Sequence, residues 1–357
     1  MRRRLGLRRD PDASETFGEA WAVWLKGKRK ARPSYARSLG QIGDNWLLPV
    51  LKDVELDRLT GEHCAQVFER VEMFNEEIEI AAEAARKPVL PGDVRKRPKL
   101  VGVATQHRIF ATLRVFLNFQ WKRAHKIPFN PIFFVELEPE ARNAPLVWEP
   151  DQVVRFLAYT ADDRLAFLWR LALLRGFRRG ELCGMADDDL DAAEGTITVN
   201  AALLEIGGKL TWGKPKSRAG ERVVGLDATT VAIGRAHRLL RKRERLAAGQ
   251  AWQEHGLMFT REDGTALRPE YVSRRFKALA KEAGLPVIKL HSARHTAASL
   301  MLEAGLDVKI VQDVLGHSAS VITRDTYQHV RMQVHRDAAE KVVALLPGDT
   351  PRTETGQ

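Results

Sequence analysis

The sequence has little cysteine and no long apolar run. Its two cysteines, Cys64 and Cys183, are far apart in 357 residues and form neither a disulfide framework nor a zinc ligand set. The basic residues 1–10 lead into no apolar segment of the kind found in signal peptides, and no stretch approaches the length that spans a bilayer. We therefore expect no secretion, no membrane insertion and a cytoplasmic location.

Positive charge is abundant by contrast. Lysine and arginine number 57 against 46 acidic residues, which gives a formal net charge of +11 and an isoelectric point near 9.8. Such a surface attracts polyanions, and the attraction weakens as salt rises between about 50 and 200 mM. Nucleic acid is the leading candidate partner, and a basic protein without such a partner is the alternative.

The first half of the chain has helical periodicity. After a flexible basic tail over residues 1–14, apolar residues recur at helical spacing from residue 15 to residue 138. This spacing predicts a small all-α domain in which the aromatic residues form a core and not a platform for stacking bases. The core positions include Phe17, Trp21, Trp24, Leu25, Ile109, Leu113, Phe116, Leu117 and Trp121.

The second half has a different pattern. Prolines and Asn143 predict an interdomain linker over residues 139–147, and Glu149-Pro150-Asp151 predicts the start of a new helix. A second domain over 148–347 then alternates helices with short strands, and residues 348–357 form a disordered tail. The predicted strands are 196–199, 209–212, 222–226 and 257–260. The fold class is therefore mainly α with a small β-sheet.

Six residues stand in a fixed order through this second domain. Each one lies in a local context of its own, such as the segment from Gly176 to Glu181 or the segment Leu315-Gly316-His317. A histidine and an arginine three residues apart share one face of a predicted helix. The six residues are Arg178, Lys216, His291, Arg294, His317 and Tyr327.

The types of these residues suit chemistry on a phosphodiester. Negative charge grows on the phosphate oxygens as a nucleophile adds, so a site without a metal needs cationic donors held there in advance. The forked N–H groups of Arg178 and Arg294 fit phosphate oxygens better than a lysine does. Taken alone, Arg178 is better explained by a surface salt bridge, such as one with Glu181 three residues later.

In this order the motifs resemble those of the tyrosine recombinases, the lambda-integrase-like family that includes phage and integrative-element integrases. The resemblance covers about residues 15–346. It implies an N-terminal SAM-like helical core-binding domain and an α+β catalytic domain, which together clamp DNA. The implied partner is double-stranded DNA at the nucleoid, without a metal or nucleotide cofactor. A homotetramer in the synapse and accessory DNA-bending or excision factors are implied as further partners.

The resemblance also implies a role for each residue. Tyr327 is the nucleophile that forms a 3′-phosphotyrosyl bond, and Arg178 and Arg294 hold the phosphate. His291 assists proton transfer, and His317 donates a hydrogen bond to the phosphate. Lys216, expected in a β-hairpin turn, protonates the leaving 5′-oxygen, although Lys209 and Lys214 lie nearby. Glu181 supports the site.

The resulting hypothesis is a site-specific recombinase that integrates or excises a mobile element. A DNA-relaxing enzyme of the type IB topoisomerase kind uses similar residues and is one alternative. A DNA-binding regulator without catalysis is another. The motifs do not encode the target sequence, because specificity depends on groove contacts and on the deformability of the DNA.

Overall fold

The chain divides into two compact units, unit 1 over residues 1–142 and unit 2 over residues 143–357. The computed structural model describes residues 14–28, 32–84, 99–140, 146–213 and 220–316. Each unit has a hydrophobic core of its own. Within these described ranges, no helix is both long enough and apolar enough to cross a bilayer.

The secondary-structure elements of unit 1 are all helical within its described residues. Helix α1 begins at a capping box, in which the Thr16 backbone N–H donates to the Glu19 carboxylate at 3.1 Å and the Glu19 N–H donates to the Thr16 hydroxyl. The elements are α1 (Phe17–Gly27), α2 (Pro33–Ile42), a π-helical turn (Gly43–Leu47), α3 (Leu48–Leu51), a 3₁₀ turn (Leu56–Arg58), α4 (Gly61–Ala84), α5 (Val103–Lys122) and a second 3₁₀ turn (Pro131–Phe134).

Aromatic side chains fill the core of unit 1. Phe17, Trp21 and Trp24 of α1 surround Phe116 of α5, with ring centroids 4.8, 5.2 and 5.5 Å from its own. A Cβ atom at Gly43 would lie 2.6 Å from Trp21 Nε1, so only glycine lets the chain pass this close to the ring. The interpretation of these aromatic residues as core is therefore confirmed.

Unit 2 combines helices with two small sheets. Its helices are α6 (Pro150–Tyr159), α7 (Ala166–Leu174), α8 (Arg179–Gly184), α9 (Ala228–Ala248), α10 (Pro269–Glu282), α11 (Leu290–Glu303) and α12 (Val308–Leu315). Its strands are β1 (Leu190–Asp191), β2 (Thr196–Val199), β3 (Ala202–Ile206), β4 (Lys209–Gly213) and β5 (Arg222–Gly225). Short 3₁₀ turns occupy Asp187–Asp189 and Gly249–Ala251. The predicted start of α6 after Glu149 is confirmed.

The strand pairing corrects one prediction. Strands β1, β2 and β5 form one antiparallel sheet, and β3 and β4 form a separate hairpin. The hairpin turn is Gly207-Gly208, whose φ angles of +62° and +79° suit a tight two-residue turn. Because β4 folds back on β3 and β5 pairs with β2, the two strands that flank Lys216 do not pair with each other. The predicted hairpin between them is wrong.

The strand predicted over residues 257–260 is also wrong. Only isolated bridges form there, from Leu257 to Ala186 and from Thr260 to Ala266. Gly256 and Gly264, which lie on either side of this segment, have φ angles of +63° and +85°, a conformation outside the extended strand range. The segment is nevertheless buried, so its apolar character reflects packing and not pairing.

The core of unit 2 brings α6, α7, α10 and α11 together. Trp148 lies 5.1 Å from the ring of Phe156 and 5.4 Å from that of Phe276. Its backbone N–H donates to Thr296 Oγ1 at 3.0 Å, and its indole N–H donates to the Pro286 carbonyl at 2.9 Å. These bonds tie the start of α6 to α11, the helix that carries His291 and Arg294.

Candidate active site

Three of the predicted site residues line a single cavity in unit 2. Arg178 lies at the residue before α8, and His291 and Arg294 lie in the first turns of α11. Together they border an opening of about 510 Å³. Lys216, His317 and Tyr327 lie outside the described residues.

A glycine turn sets the approach of Arg178 to α11. Gly176 has φ +63°, and a Cβ atom there would lie 2.4 Å from Leu315 Cδ2 and 3.3 Å from Arg294 Cγ. The Gly176 carbonyl accepts a hydrogen bond from Arg294 Nη1 at 2.8 Å. The same residue therefore turns the chain toward α8 and fixes a buried arginine of the cavity.

Arg178 is held at its backbone and at its guanidinium group. Its backbone N–H donates to Glu181 Oε2 at 3.0 Å, and its Nη1 donates to Glu181 Oε1 at 2.6 Å. Its Nη2 donates to the carbonyl of Gly316 at 2.8 Å. Arg178 thus forms an ion pair with Glu181 and also borders the cavity. Its interpretation as a salt-bridge residue and its interpretation as a phosphate-binding residue do not exclude each other.

Glu181 is the buried acid of the site, with 2% of its surface exposed. Burial acts to raise the pKa of this carboxyl. The charge and hydrogen bond of Arg222, together with Arg178, outweigh that effect and hold the pKa below its usual range. Glu181 is therefore a carboxylate shared by two arginines.

The end of α12 also faces the site. Gly316 ends the helix in the left-handed conformation at φ +68°, as expected of a C-terminal glycine. Its carbonyl is the one that accepts the hydrogen bond from Arg178. Arg178 is thereby bonded to the residue that immediately precedes His317 in the sequence.

His291 stands beside a second histidine. The rings of His291 and His295 are 5.3 Å apart and nearly perpendicular. Desolvation by neighbouring protein atoms lowers the pKa of His291, and the charges of Arg294 and Arg178 lower it further. Desolvation, His291 and Arg294 lower the pKa of His295 to about 4. Both imidazoles are neutral at neutral pH, a form in which a ring nitrogen can accept a proton.

Sequence reasoning missed several residues of the site. From the sequence, the side chain of His295 is expected to point away from the site because it follows Arg294 directly, but its ring lies 5.3 Å from that of His291. No local signal marked Arg222, which contacts Glu181 across 41 positions of sequence. Further cationic side chains border the cavity, namely Arg179, Lys277 and Lys289.

The arrangement suits an anionic group with several oxygens. Guanidinium groups and a neutral imidazole converge on one opening, which is the donor set that a phosphate needs. Among the described residues, no group of three or more histidine, cysteine or acidic side chains is placed to hold a metal ion. Burial raises the pKa of the Cys183 thiol to about 12, so that thiol is no nucleophile.

Comparison of the chain with known proteins finds a matching family. A family model described as the phage integrase family matches residues 147–334. The tyrosine recombinase XerC-like protein of Caldanaerobacter subterraneus subsp. tengcongensis is 28% identical over 232 residues, which are 62% of this chain and 58% of that protein. The chain therefore spans less than two thirds of the length of this relative.

Two solved structures share the fold. One is the Tn1549 transposon integrase in complex with transposon right end DNA, with a TM-score of 0.69 at 18% identity. It covers 92% of this chain and 99% of that one. The other is a lambda integrase tetramer bound to a Holliday junction, with a TM-score of 0.56 at 18% identity over 88% of this chain and 83% of that one. At these identities the likeness is one of fold.

Proposed function

Because this chain belongs to the phage integrase family, we propose that it is a site-specific DNA recombinase that cleaves and rejoins DNA to integrate or excise a mobile element. The observation that carries the proposal is the convergence of Arg178, His291 and Arg294 on one cavity. The Tn1549 transposon integrase and the lambda integrase tetramer support it, since each is a DNA-bound protein of the same fold.

The proposed reaction is a transesterification. The phenol oxygen of Tyr327 bonds to the phosphorus, and the bond from phosphorus to the 5′-oxygen breaks. The proton of the phenol passes to His291, and Lys216 delivers a proton to the departing 5′-oxygen. The product is a 3′-phosphotyrosyl bond and a free 5′-hydroxyl, so attack by a 5′-hydroxyl reseals the strand without ATP.

The arginines have the electrostatic role in this proposal. Arg178 and Arg294 hold the non-bridging oxygens, where negative charge grows in the transition state, and His317 adds a hydrogen bond there. Glu181 keeps Arg178 in place, because it binds both the backbone and the guanidinium of that residue. The site then needs no metal ion to neutralise the phosphate.

The proposed partners follow from the same reaction. Exchange of two strands between two sites requires four copies, in the manner of the lambda integrase tetramer bound to a Holliday junction. Accessory DNA-bending or excision factors would set the direction of the reaction. The place of action would be the nucleoid in the cytoplasm, where chromosomal and element DNA meet.

The test uses a supercoiled plasmid that carries the DNA flanking the gene of this protein. Wild type, Tyr327→Phe and the control Tyr159→Phe are incubated with it, and the DNA is analysed under denaturing conditions. We expect a covalent adduct at a 3′ end with wild type and with Tyr159→Phe, and none with Tyr327→Phe.

The other outcomes separate the alternatives. An adduct that persists in Tyr327→Phe would assign the nucleophile to another residue. Relaxed circles without exchange of flanking DNA would indicate a topoisomerase. Sequence-specific binding without any adduct would favour a regulator that has no catalysis.

A further inference from the structure

Arg222, the first residue of β5, connects three segments that meet at the site. Its Nη2 donates to Glu181 Oε2 at 3.0 Å, and its Nη1 donates to the Gly220 carbonyl at 3.0 Å. Its Nε donates to the Val314 carbonyl at 2.6 Å. In sequence, Gly220 follows Lys216 by four residues and Val314 precedes His317 by three.

The environment of Arg222 fixes its orientation. The side chain is 7% exposed, and its guanidinium lies 5.2 Å from the ring centroid of Phe177, the residue before Arg178. Each of its three nitrogens that carry N–H groups has an acceptor. A planar group that stacks on a ring and donates in three directions has one orientation, which a flexible lysine ammonium does not reproduce.

The positive charge of Arg222 also affects the site. The Arg178–Glu181 pair alone is neutral overall, and an acid that neutralises Arg178 would weaken its stabilisation of the extra negative charge that grows on the phosphate in the transition state. With Arg222 present, one carboxylate is shared by two guanidinium groups and one positive charge remains. The positive charge of Arg178 is therefore kept for an anion in the cavity.

We propose that Arg222 is a positioning residue for DNA cleavage, which acts by holding Glu181 and, through it, Arg178. The inference rests on the proposed function and adds to it a residue that borders no part of the cavity. Arg222 reaches the phosphate only through its neighbours, so its loss should slow the reaction without weakening DNA binding.

Arg241 offers a matched control. It is also buried, at 6% exposure, it is ion-paired with Asp187, and its guanidinium lies 5.8 Å from the ring of Trp252. It borders a separate cavity, away from Arg178. Replacing Arg241 removes the same kind of buried arginine from the same unit. Its effect on cleavage therefore measures only the loss of folded protein.

The experiment measures cleavage in a single turnover by the full chain. The substrate is a duplex of the gene-flanking DNA, nicked beside the cleavage position so that the short 5′-hydroxyl fragment leaves. For Arg222→Gln we expect cleavage slower by about tenfold to a hundredfold, with the Kd for the duplex within about twofold of wild type. Arg241→Gln should cleave at the wild-type rate once corrected for the folded fraction.

A double-mutant cycle distinguishes positioning from general damage. If Arg222 acts through Arg178, the change Arg222→Gln should slow an Arg178→Gln protein by much less than it slows wild type. On a duplex with a neutral methylphosphonate at the cleavage position, the effect of Arg222→Gln should also shrink, because less charge needs stabilisation. If Arg222 had a purely structural role, Arg222→Gln would slow cleavage by the same factor in both proteins and on both duplexes.

Each remaining outcome either supports or overturns the proposed role of Arg222. If Arg222→Gln does not fold, Arg222→Lys takes its place, and it must cleave more slowly at unchanged Kd. Wild-type cleavage by the Arg222 variant, or effects that add fully in the cycle, would overturn the inference and leave the proposed function intact. Absence of an adduct with wild type would overturn the proposed function, and this inference with it.

Discussion

The two units bury polar side chains of different kinds. In the described part of unit 1 the buried polar side chains are uncharged, namely Thr16, Thr112, Gln120 and Asn130. In unit 2 they include acids and bases, namely Glu181, Asp189, His237, Arg241 and Arg294. Burying an ionised group costs several kcal/mol unless it is paired, so unit 2 depends on its networks in a way that unit 1 does not.

This difference sets apart the unit that contains the candidate site, but it does not locate the site within that unit. The Arg241 side chain is as enclosed as that of Arg222, at 7% exposure each, yet Arg241 borders a different cavity. What marks the candidate site is that the buried Arg294 borders an opening together with Arg178 and His291. Burial of a charged side chain is therefore weaker evidence for a site than its position on a cavity.

The largest effect is expected where a buried charge loses its partner. Glu181→Ala leaves Arg178 and Arg222 side by side without a carboxylate, which should destabilise unit 2 by about 3–5 kcal/mol. Cleavage of DNA should be lost as well. The measurement is urea unfolding followed by hydrogen exchange in peptides of unit 2.

The control for this change is Glu205→Ala. Glu205 pairs with Arg268 at 2.9 Å, but the Arg268 side chain is 54% exposed, so removal of the pair should cost less than about 1 kcal/mol. Equal losses for the two variants would mean that the Glu181 network contributes no more than a surface pair does.

The next effect concerns the turn before Arg178. Gly176→Ala places a side chain at φ +63°, which costs about 1–2 kcal/mol, and drives its methyl group into Leu315. Gly256→Ala has the same φ, but nothing lies within 4 Å of the added atom. Thermal unfolding should show a clearly larger loss for Gly176→Ala, and a similar loss for both would refute the close contact.

A third effect is a difference between the two units in how their stability depends on pH. Burial lowers the pKa of His237, and desolvation lowers that of His295 to about 4. A histidine with a lower pKa when folded binds its proton on unfolding, so its stabilising contribution is full above about pH 6.5 and is lost as the pH falls towards 4. The described histidines of unit 1, which are His63, His107 and His125, are not buried.

The measurement is limited proteolysis in a urea series at about pH 7.5 and about pH 5, with the fragments assigned by mass. Unit 2 should lose more stability than unit 1 on acidification, and His237→Gln should reduce that difference. If unit 1 proved the more sensitive of the two, the assignment of the pH response to these histidines would be wrong.

The features predicted from the sequence are the local ones. Helical spacing identified Phe17, Trp21 and Phe116 as core because side chains one turn apart share a face. The pairing of β4 with β3, and the contact of Arg222 with Glu181, join positions whose relation depends on the whole fold. No local pattern encodes them, although the pair Gly207-Gly208 was an available signal for a tight turn.

The smallest effect tests unit 1 at the buried Gln120, whose polar group should be dispensable. Gln120 is 2% exposed, and its Oε1 has no hydrogen-bond partner among the described residues. A buried amide oxygen without a partner costs about 1–3 kcal/mol, so Gln120→Met, which keeps the length of the side chain, should leave unit 1 unchanged or stabilise it by about 1 kcal/mol. Urea unfolding followed by hydrogen exchange in unit 1 peptides measures this change. A clear loss of stability would show that unit 1, like unit 2, depends on a buried polar interaction.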